Sequence, residues 1–309
     1  MFKEKISLIL PAHNEDENIK SLIKNIYQTF KENNLENLLE VIVVNDGSKD
    51  NTENEVNKMV KQYNNLILIN LKSNVGKAYA LDIGINNSNG KIIAIMDADL
   101  QYSAKNLINM INLINEGYDL VNGKRENRKD SYFTVLFSNT YNLILRLMFK
   151  MKLNDFFSGI KVYKKEIYEL MNYNGMARFV VFFSKKFNYK IYEMPVSHFH
   201  RLKGKTSYSF FDKIILCLKD VFTIIICISL GKNRIYQIKQ FILSVYFISI
   251  LIFIIDSFFY KYFDNQIIIF FIFSFLLLCI LNMIIQTFLS SKEKKLSDLM
   301  SYIKNIKKR

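Results

Sequence analysis

Tryptophan is absent from the 309 residues, and cysteine occurs only three times, at Cys217, Cys227 and Cys279. The three thiols lie in apolar surroundings without metal-ligand spacing, which argues against a zinc site and reads as inert buried thiols. Nothing in the cysteine usage points to an oxidising compartment. No G-x-G-x-x-G follows the first apolar run, so a dinucleotide fingerprint is missing. Asn74-Val75-Gly76-Lys77 contains a Gly-Lys pair but lacks the upstream glycine of a phosphate-binding P-loop. The amino terminus, MFKEKISLIL, is too short in its apolar part for a signal peptide and continues as a strand. No basic stripe interleaved with stacking aromatics is present, so the net charge of +14 does not read as nucleic-acid binding. The basic residues instead flank long apolar runs, and the chain is expected to act without nucleic acid and beside a lipid bilayer.

What is present begins with alternation. Ile6–Leu10, Val41–Val44, Leu66–Ile69 and Ile92–Met96 are short apolar runs. Between them lie segments of helical spacing: Ile19, Leu22, Ile23, Ile26 and Phe30, then a polar helix to about Tyr63, then Ala78 to about Asn86. This β-α-β-α-β-α-β order predicts an α/β fold with a mostly parallel sheet. Ser103 is placed to cap a helix carrying Leu107, Ile111 and Ile114. Tyr118–Val121 predicts another strand, 131–151 a helix, Ile167–Met171 and Arg178–Phe187 further helices, and Ile191–Val196 a late strand.

Polar loops follow strands one, two and four, so Glu15, Asp46 and the pair Asp97/Asp99 are expected at one edge of the sheet. Ligands of open α/β sheets bind at that carboxyl edge. The stretch KIIAIMDADLQY sets Asp97, Asp99 and Gln101 at the end of a buried strand. Two carboxylates one residue apart can hold a hard divalent cation and leave room for phosphate oxygens. An Asp-x-Asp also occurs at ordinary strand ends. Arg125 could add charge to the same phosphates through its planar fork. Asp155 could equally cap a turn, and Lys77 could be a solvated helix residue. His198 and His200 read as positioning or packing residues.

Two segments have the length and apolarity to cross a hydrocarbon layer of about 30 Å, 241–260 and 266–288. Their five-residue connector makes them a hairpin. The stretch 213–230 is interrupted by Lys219 and Asp220 and reads as interfacial helices, with a third span as the competing assignment. Lys232, Arg234 and Lys239 precede the hairpin, and seven Lys/Arg against two acids follow it from Ser290. Both ends are therefore expected on the cytoplasmic side. The tail 296–308 could form a short basic helix on anionic lipid or remain solvated.

SLILPAHNEDENI, VIVVNDGSKDNT, NVGKAYAL and IIAIMDADLQY, in this order and spacing, resemble family 2 glycosyltransferases with the GT-A fold. GKRENRKDSYF, NDFFSGIKVYKKEI and HFHRLKGKTSYSFF, followed by two spans, resemble the polyprenyl-phosphate branch. That branch includes dolichol-phosphate mannose synthases and bacterial undecaprenyl-phosphate sugar transferases. The resemblance implies a catalytic GT-A domain over 1–208, juxtamembrane interfacial helices over 209–236, a transmembrane hairpin over 237–290 and a basic cytoplasmic tail over 291–309. It implies a multi-pass protein of the cytoplasmic membrane whose catalytic domain faces the cytoplasm. The implied reaction is inverting transfer from a UDP- or GDP-sugar to undecaprenyl or dolichyl phosphate, for cell-envelope glycan or lipid modification.

The resemblance also implies site roles. Pro11, Ala12 and Glu15 would line base and ribose, Asp46 would contact the base, and Lys77 would lie near the nucleotide. Ala98 would sit within the nucleotide-sugar site, while Asp97, Asp99 and Gln101 would hold Mg²⁺ or Mn²⁺. Arg125 would meet donor or acceptor phosphate, Arg128 and Arg201 the lipid phosphate, and Asp155 would assist the reaction. The family's late segment often reads H-x-x-R-x-x-G-x-S-K-Y. Here His198, Arg201, Gly204, Thr206 and Tyr208 keep most of it, with Ser207 in place of lysine. Homo-oligomeric assembly, known in parts of the family, is left open. A transferase acting on a glycan acceptor is a competing enzyme class, but its usual Q-x-x-R-W motif needs the missing tryptophan. A metal-dependent nucleotidyltransferase would also use clustered carboxylates and phosphates, and a non-catalytic membrane adaptor could keep the same fold.

Overall fold

Runs of Ile, Leu and Val with no polar face fold as strands buried on both sides, and that is how the sheet begins. The computed structural model describes residues 3–126, 132–171, 175–199 and 303–308, with residues 217, 220 and 224 singly. The chain divides into two compact units, 1–217 with 295–309, and 218–294. The expected spans 241–260 and 266–288 lie outside the described residues, as does the interfacial stretch 213–230 apart from residues 217, 220 and 224. No helix among the described residues is long and apolar enough to cross a membrane.

The first unit is an eight-stranded sheet. In chain order its elements are β1 (Ile6–Ala12), α1 (Asp16–Glu32), β2 (Leu39–Asn45), α2 (Thr52–Val60), β3 (Leu66–Leu71), α3 (Lys77–Asn86) and β4 (Ile92–Ile95). Then follow α4 (Ala104–Asn115), β5 (Leu120–Glu126), α5 (Tyr132–Phe149), β6 (Lys161–Lys164), α6 (Lys165–Met171), α7 (Val180–Lys186), β7 (Ile191–Ser197) and β8 (Ile303–Lys307). The strand order is β7-β5-β6-β4-β1-β2-β3-β8. The pairs β1–β2, β1–β4, β2–β3 and β5–β7 are parallel. β6 runs antiparallel between β4 and β5. The sheet is thus mostly parallel, as the alternation predicts.

Helix α1 buries Ile19, Leu22, Ile23, Ile26 and Phe30, the five residues of its apolar stripe. They pack on Leu8, Leu10, Val41 and Val43 of the sheet within one core. Helix α4 starts where Ser103 accepts a hydrogen bond from the Lys105 amide, and it buries Leu107, Ile111 and Ile114. Helix α3 lies close to the sheet: a Cβ on Gly84 would stand 2.5 Å from Ile9 Cγ2. At the amino edge, buried Glu40 accepts from Ser7 Oγ at 2.5 Å and from the Asn89 amide at 2.9 Å. That edge is closed by structural bonds, and the opposite edge carries the polar loops.

One expectation is corrected. Residues 303–307 form neither a lipid-bound helix nor a solvated tail. They form β8, antiparallel to β3 at the sheet's edge. The register brings three asparagines into line: Asn45 Nδ2 donates to Asn70 Oδ1 at 2.8 Å, and Asn70 Nδ2 donates to Asn305 Oδ1 at 2.7 Å. Amide side chains that both donate and accept can extend a strand ladder sideways, and this ladder holds the last strand.

Candidate active site

Strands β1 and β2 leave the sheet in register, with Ala12 opposite Asn45. The Asp46 amide donates to the Ala12 carbonyl at 2.8 Å, so the two exits are tied at once. Further bonds stitch the loops together. The Asn14 amide donates to Ser48 Oγ, the Lys49 amide to Asn14 Oδ1, and the Glu15 amide to Thr52 Oγ1, each at 2.9 Å. Asn14 sits at φ 56, which its short polar side chain tolerates. Glu15 stands at the start of α1, where its Oε2 accepts from Asn18 Nδ2 at 2.7 Å. Pro11, Ala12, Glu15 and Asp46 are therefore gathered at one place.

The carboxylate of Asp46 is buried and used by backbone. It accepts from the Val75 amide at 2.7 Å and the Gly76 amide at 3.0 Å. Burial pushes its carboxyl above the usual range, against the opposing effect of those amides and of His13. Gly47, at φ 63, lies so close to the chain that a Cβ there would be 2.4 Å from the Ser73 carbonyl carbon. These contacts fix the turn that ends at Lys77, the first residue of α3. Lys77 Nζ reaches Asp97 Oδ1 at 2.5 Å, with the side chains 49% and 27% exposed respectively.

Asp97 follows β4. Ala98 and Asp99 are buried, Leu100 takes φ 60, and the Gln101 amide donates to Asp99 Oδ1 at 3.2 Å. Gln101 is tied to the segment leaving β7. The Phe199 amide donates to the Gln101 carbonyl at 3.0 Å, and Gln101 Nε2 donates to the Phe199 carbonyl at 3.2 Å. An amide that donates through Nε2 keeps Oε1 as an acceptor. Among the described residues, no group of three or more His, Cys, Asp or Glu side chains is arranged to hold a metal. An enclosed protein cage is thus not built there. Two carboxylates and one amide oxygen fit the other kind of hard-cation site, in which phosphate oxygens and water complete the shell.

Arg125, on β5, grips Asp155 with both arms: Nε to Oδ2 at 2.6 Å and Nη2 to Oδ1 at 2.8 Å. Burial alone would raise the Asp155 carboxyl. The hydrogen bonds and charge of Arg125 outweigh it and hold the group below its ordinary value. Asp155 is thus a committed carboxylate, poorly suited to accept a proton. Its backbone is fixed as well, since its amide donates to Glu193 Oε1 at 2.9 Å and its carbonyl accepts from Asn122 Nδ2 at 2.7 Å.

Three further residues belong here, Gly159, Tyr102 and Lys161, to which the sequence alone assigns no role in the site. Gly159 packs on Asp97: a Cβ would stand 2.3 Å from Oδ2 and 2.6 Å from Cγ. The Gly159 amide donates to the Tyr102 hydroxyl at 3.0 Å, and the Tyr102 ring meets His198 edge-on at 5.4 Å. His198 thus packs, as expected. Lys161, buried, donates to the Ser158 carbonyl at 2.6 Å. Burial pushes its ammonium down to about 7, with Asp155 opposing. In the sequence they stand only as neighbours of Asp97 and Asp155, Tyr102 in DADLQY and Gly159 and Lys161 in SGIK. Arg128 and Arg201 lie outside the described residues.

Comparison with known proteins adds the following. The family described as glycosyl transferase family 2 matches residues 7–171. The chain is 28% identical over 243 residues to an undecaprenyl-phosphate 4-deoxy-4-formamido-L-arabinose transferase of Proteus mirabilis, covering 78% of this chain and 73% of that protein. It resembles in structure the mannosyltransferase PcManGT of Pyrobaculum calidifontis, solved with GDP-Man and Mn²⁺, at 18% identity and a TM-score of 0.52. That match spans 72% of this chain and 63%, under two thirds, of the other. The glucosyl-3-phosphoglycerate synthase of Mycobacterium tuberculosis, solved with Mn²⁺, UDP and glucosyl-3-phosphoglycerate, matches at 18% identity and a TM-score of 0.54, over 73% and 80% of the two chains. At such identity the two structures share the GT-A fold with this chain.

Proposed function

The chain belongs to glycosyl transferase family 2 and is a glycosyltransferase, and from that premise we propose that it moves a sugar from a nucleotide diphosphate to a polyprenyl phosphate. The observation that carries this reading is the gathering of Asp97, Asp99, Gln101 and Lys77 at one sheet edge that also bears the Arg125–Asp155 pair. The relative from Proteus mirabilis, named for transfer to undecaprenyl phosphate, supports the acceptor class.

In this reading the loops at Pro11, Ala12, Glu15 and Asp46 take the base and ribose. The diphosphate lies toward Lys77 and the Asp97-Ala98-Asp99 turn. Asp97, Asp99 and Gln101 would hold a divalent cation, Mg²⁺ or Mn²⁺, whose charge would neutralise the departing diphosphate. The acceptor phosphate oxygen attacks the anomeric carbon from the face opposite the leaving group. The new bond joins that oxygen to the sugar carbon, the bond to the diphosphate breaks, and configuration inverts. A phosphate acceptor is already anionic near neutral pH, so no strong base is required. That agrees with an Asp155 locked to Arg125: it orients the guanidinium and does not take a proton. Rate is then gained from alignment and from fixed charge at the leaving group. Arg128 and Arg201 are the proposed contacts to the lipid phosphate. The spans 241–260 and 266–288 would anchor the domain on the cytoplasmic face.

Membranes containing the protein should convert undecaprenyl phosphate and one member of a panel of UDP- and GDP-sugars to a glycosyl lipid of the expected mass. Asp97→Asn should remove that product while the protein still folds. Transfer to a soluble glycan, with none to the lipid phosphate, would overturn the acceptor assignment.

A further inference from the structure

Lys77 occupies a position that helix physics does not favour. It is the first residue of α3, and the first turn of that helix contains no acid. A cation at a helix N-terminus faces the positive end of the dipole. The residue is nonetheless held there firmly. Asp46 pins the Val75 and Gly76 amides immediately before it, and Asn74 Oδ1 also accepts from the Gly76 amide at 3.0 Å. From this fixed base its ammonium reaches Asp97 Oδ1 at 2.5 Å.

The two oxygens of Asp97 have different surroundings. Oδ2 lies against Gly159, within 2.3 Å of where a Cβ would be. Oδ1 is shielded from solvent, and the Lys77 ammonium is its charged neighbour. A cation that is to reach Oδ1 must move that ammonium aside. Charge balance points the same way. Lys161 has Lys77, Arg125, Asp97 and Asp155 as charged neighbours, so the cluster already holds cations among its carboxylates. A divalent cation arriving alone adds two positive charges to a cluster that has its own counter-ions. A nucleoside diphosphate brings at least two negative charges, and it offers Lys77 a new partner.

We propose that Lys77 is a built-in counter-ion that competes with the divalent cation for Asp97, so that the site takes up its metal together with the nucleotide diphosphate. Lys77 is then a positioning residue with two alternative partners, Asp97 and a phosphate oxygen. This rests on Asp97 being a metal ligand, as proposed above. By linkage, whatever factor the nucleotide adds to metal affinity the metal adds to nucleotide affinity. The site would thereby avoid sequestering free metal and would favour the metal–nucleotide complex.

The test is Mn²⁺ binding to the full chain in detergent, read from the loss of the free Mn²⁺ paramagnetic signal, with and without UDP or GDP. In the unaltered protein the cognate nucleotide should tighten Mn²⁺ about tenfold or more, within the usual range of coupling between sites. Lys77→Met should bind Mn²⁺ alone about tenfold more tightly than the unaltered protein, and the gain from nucleotide should shrink. Lys77→Arg, which keeps the charge, should retain the coupling. If Lys77→Met weakens nucleotide binding but leaves affinity for Mn²⁺ alone unchanged, Lys77 is a phosphate contact only and the proposal fails. Asp97→Asn separates this from the wider reading. If Mn²⁺ binding survives Asp97→Asn, the metal assignment is wrong, whereas dependence on Asp97 without an effect of Lys77 overturns the counter-ion alone.

Discussion

Replacing Gly159 with alanine adds one methyl group at the closest approach in the site. The backbone there needs no glycine-specific angle, so the effect comes from space alone. The new Cβ would stand 2.3 Å from Asp97 Oδ2, 2.6 Å from Asp97 Cγ and 2.9 Å from Tyr102 Cε2, against 3.4 Å or more for ordinary contact. Something must retreat by about 1 Å. Tyr102 cannot easily do so, because its ring is buried and packed on His198. Asp97 is the partly exposed partner, and it would carry most of the shift. Misplacing a catalytic group by about 1 Å costs on the order of 100-fold in rate. Overpacking itself costs about 1–3 kcal/mol. Gly159→Ala should therefore lower turnover about 100-fold while lowering the melting temperature by only about 2–10 °C. The assay is initial-rate transfer from the cognate nucleotide sugar to undecaprenyl phosphate, beside a thermal melt of the same preparation. A folded Gly159→Ala enzyme with full turnover would refute the idea that Gly159 sets Asp97.

Three other outcomes follow from the geometry. Arg125→Ala strands the buried Asp155 carboxylate, the pair's side chains being only 16% and 6% exposed; a loss of about 3–5 kcal/mol is expected in urea unfolding, and Arg125→Lys should recover only part of it. Lys161 has a folded-state value of about 7 against 10.5 for the free side chain. The unfolded chain therefore binds the extra proton between those values, stability should rise with pH across that window, and Lys161→Met should flatten the rise while stabilising the fold at pH 7 by at most about 5 kcal/mol. Asn70→Ala removes the middle of the Asn45–Asn70–Asn305 ladder; a cost of about 1–3 kcal/mol is expected, with faster proteolysis near residues 303–307 in limited digestion.

The central sheet was legible because its strands are uninterrupted apolar runs and its helices show a clear stripe. Ile6–Leu10 and Ile19 through Phe30 leave little choice of period. Strand β6 was harder, since it has four residues and opens on Lys161, a charged side chain that ends up buried. Strand β8 was not legible because IKNIK carries too few apolar positions to separate strand from helix. Its partner, moreover, lies 235 residues away along the asparagine ladder. The convergence of Glu15, Asp46 and Asp97 followed from topology alone, because successive parallel strands open onto one edge. The pairings within that edge did not. Lys77 with Asp97, and Arg125 with Asp155, depend on loop paths that Gly47, Gly76 and Gly159 permit, and sequence spacing does not encode those paths.

The edge strand β8 also sets an order of events during synthesis. Strand β3 is made early, and the residues that cover its free edge are made after everything between 72 and 302. Until then β3 presents a row of unpaired amides and carbonyls, the kind of edge that recruits foreign strands. The nascent domain must therefore wait for residues 303–307, with the whole of 218–294 translated in between. A ribosome that stalls in that stretch would leave a nearly complete sheet with one side open.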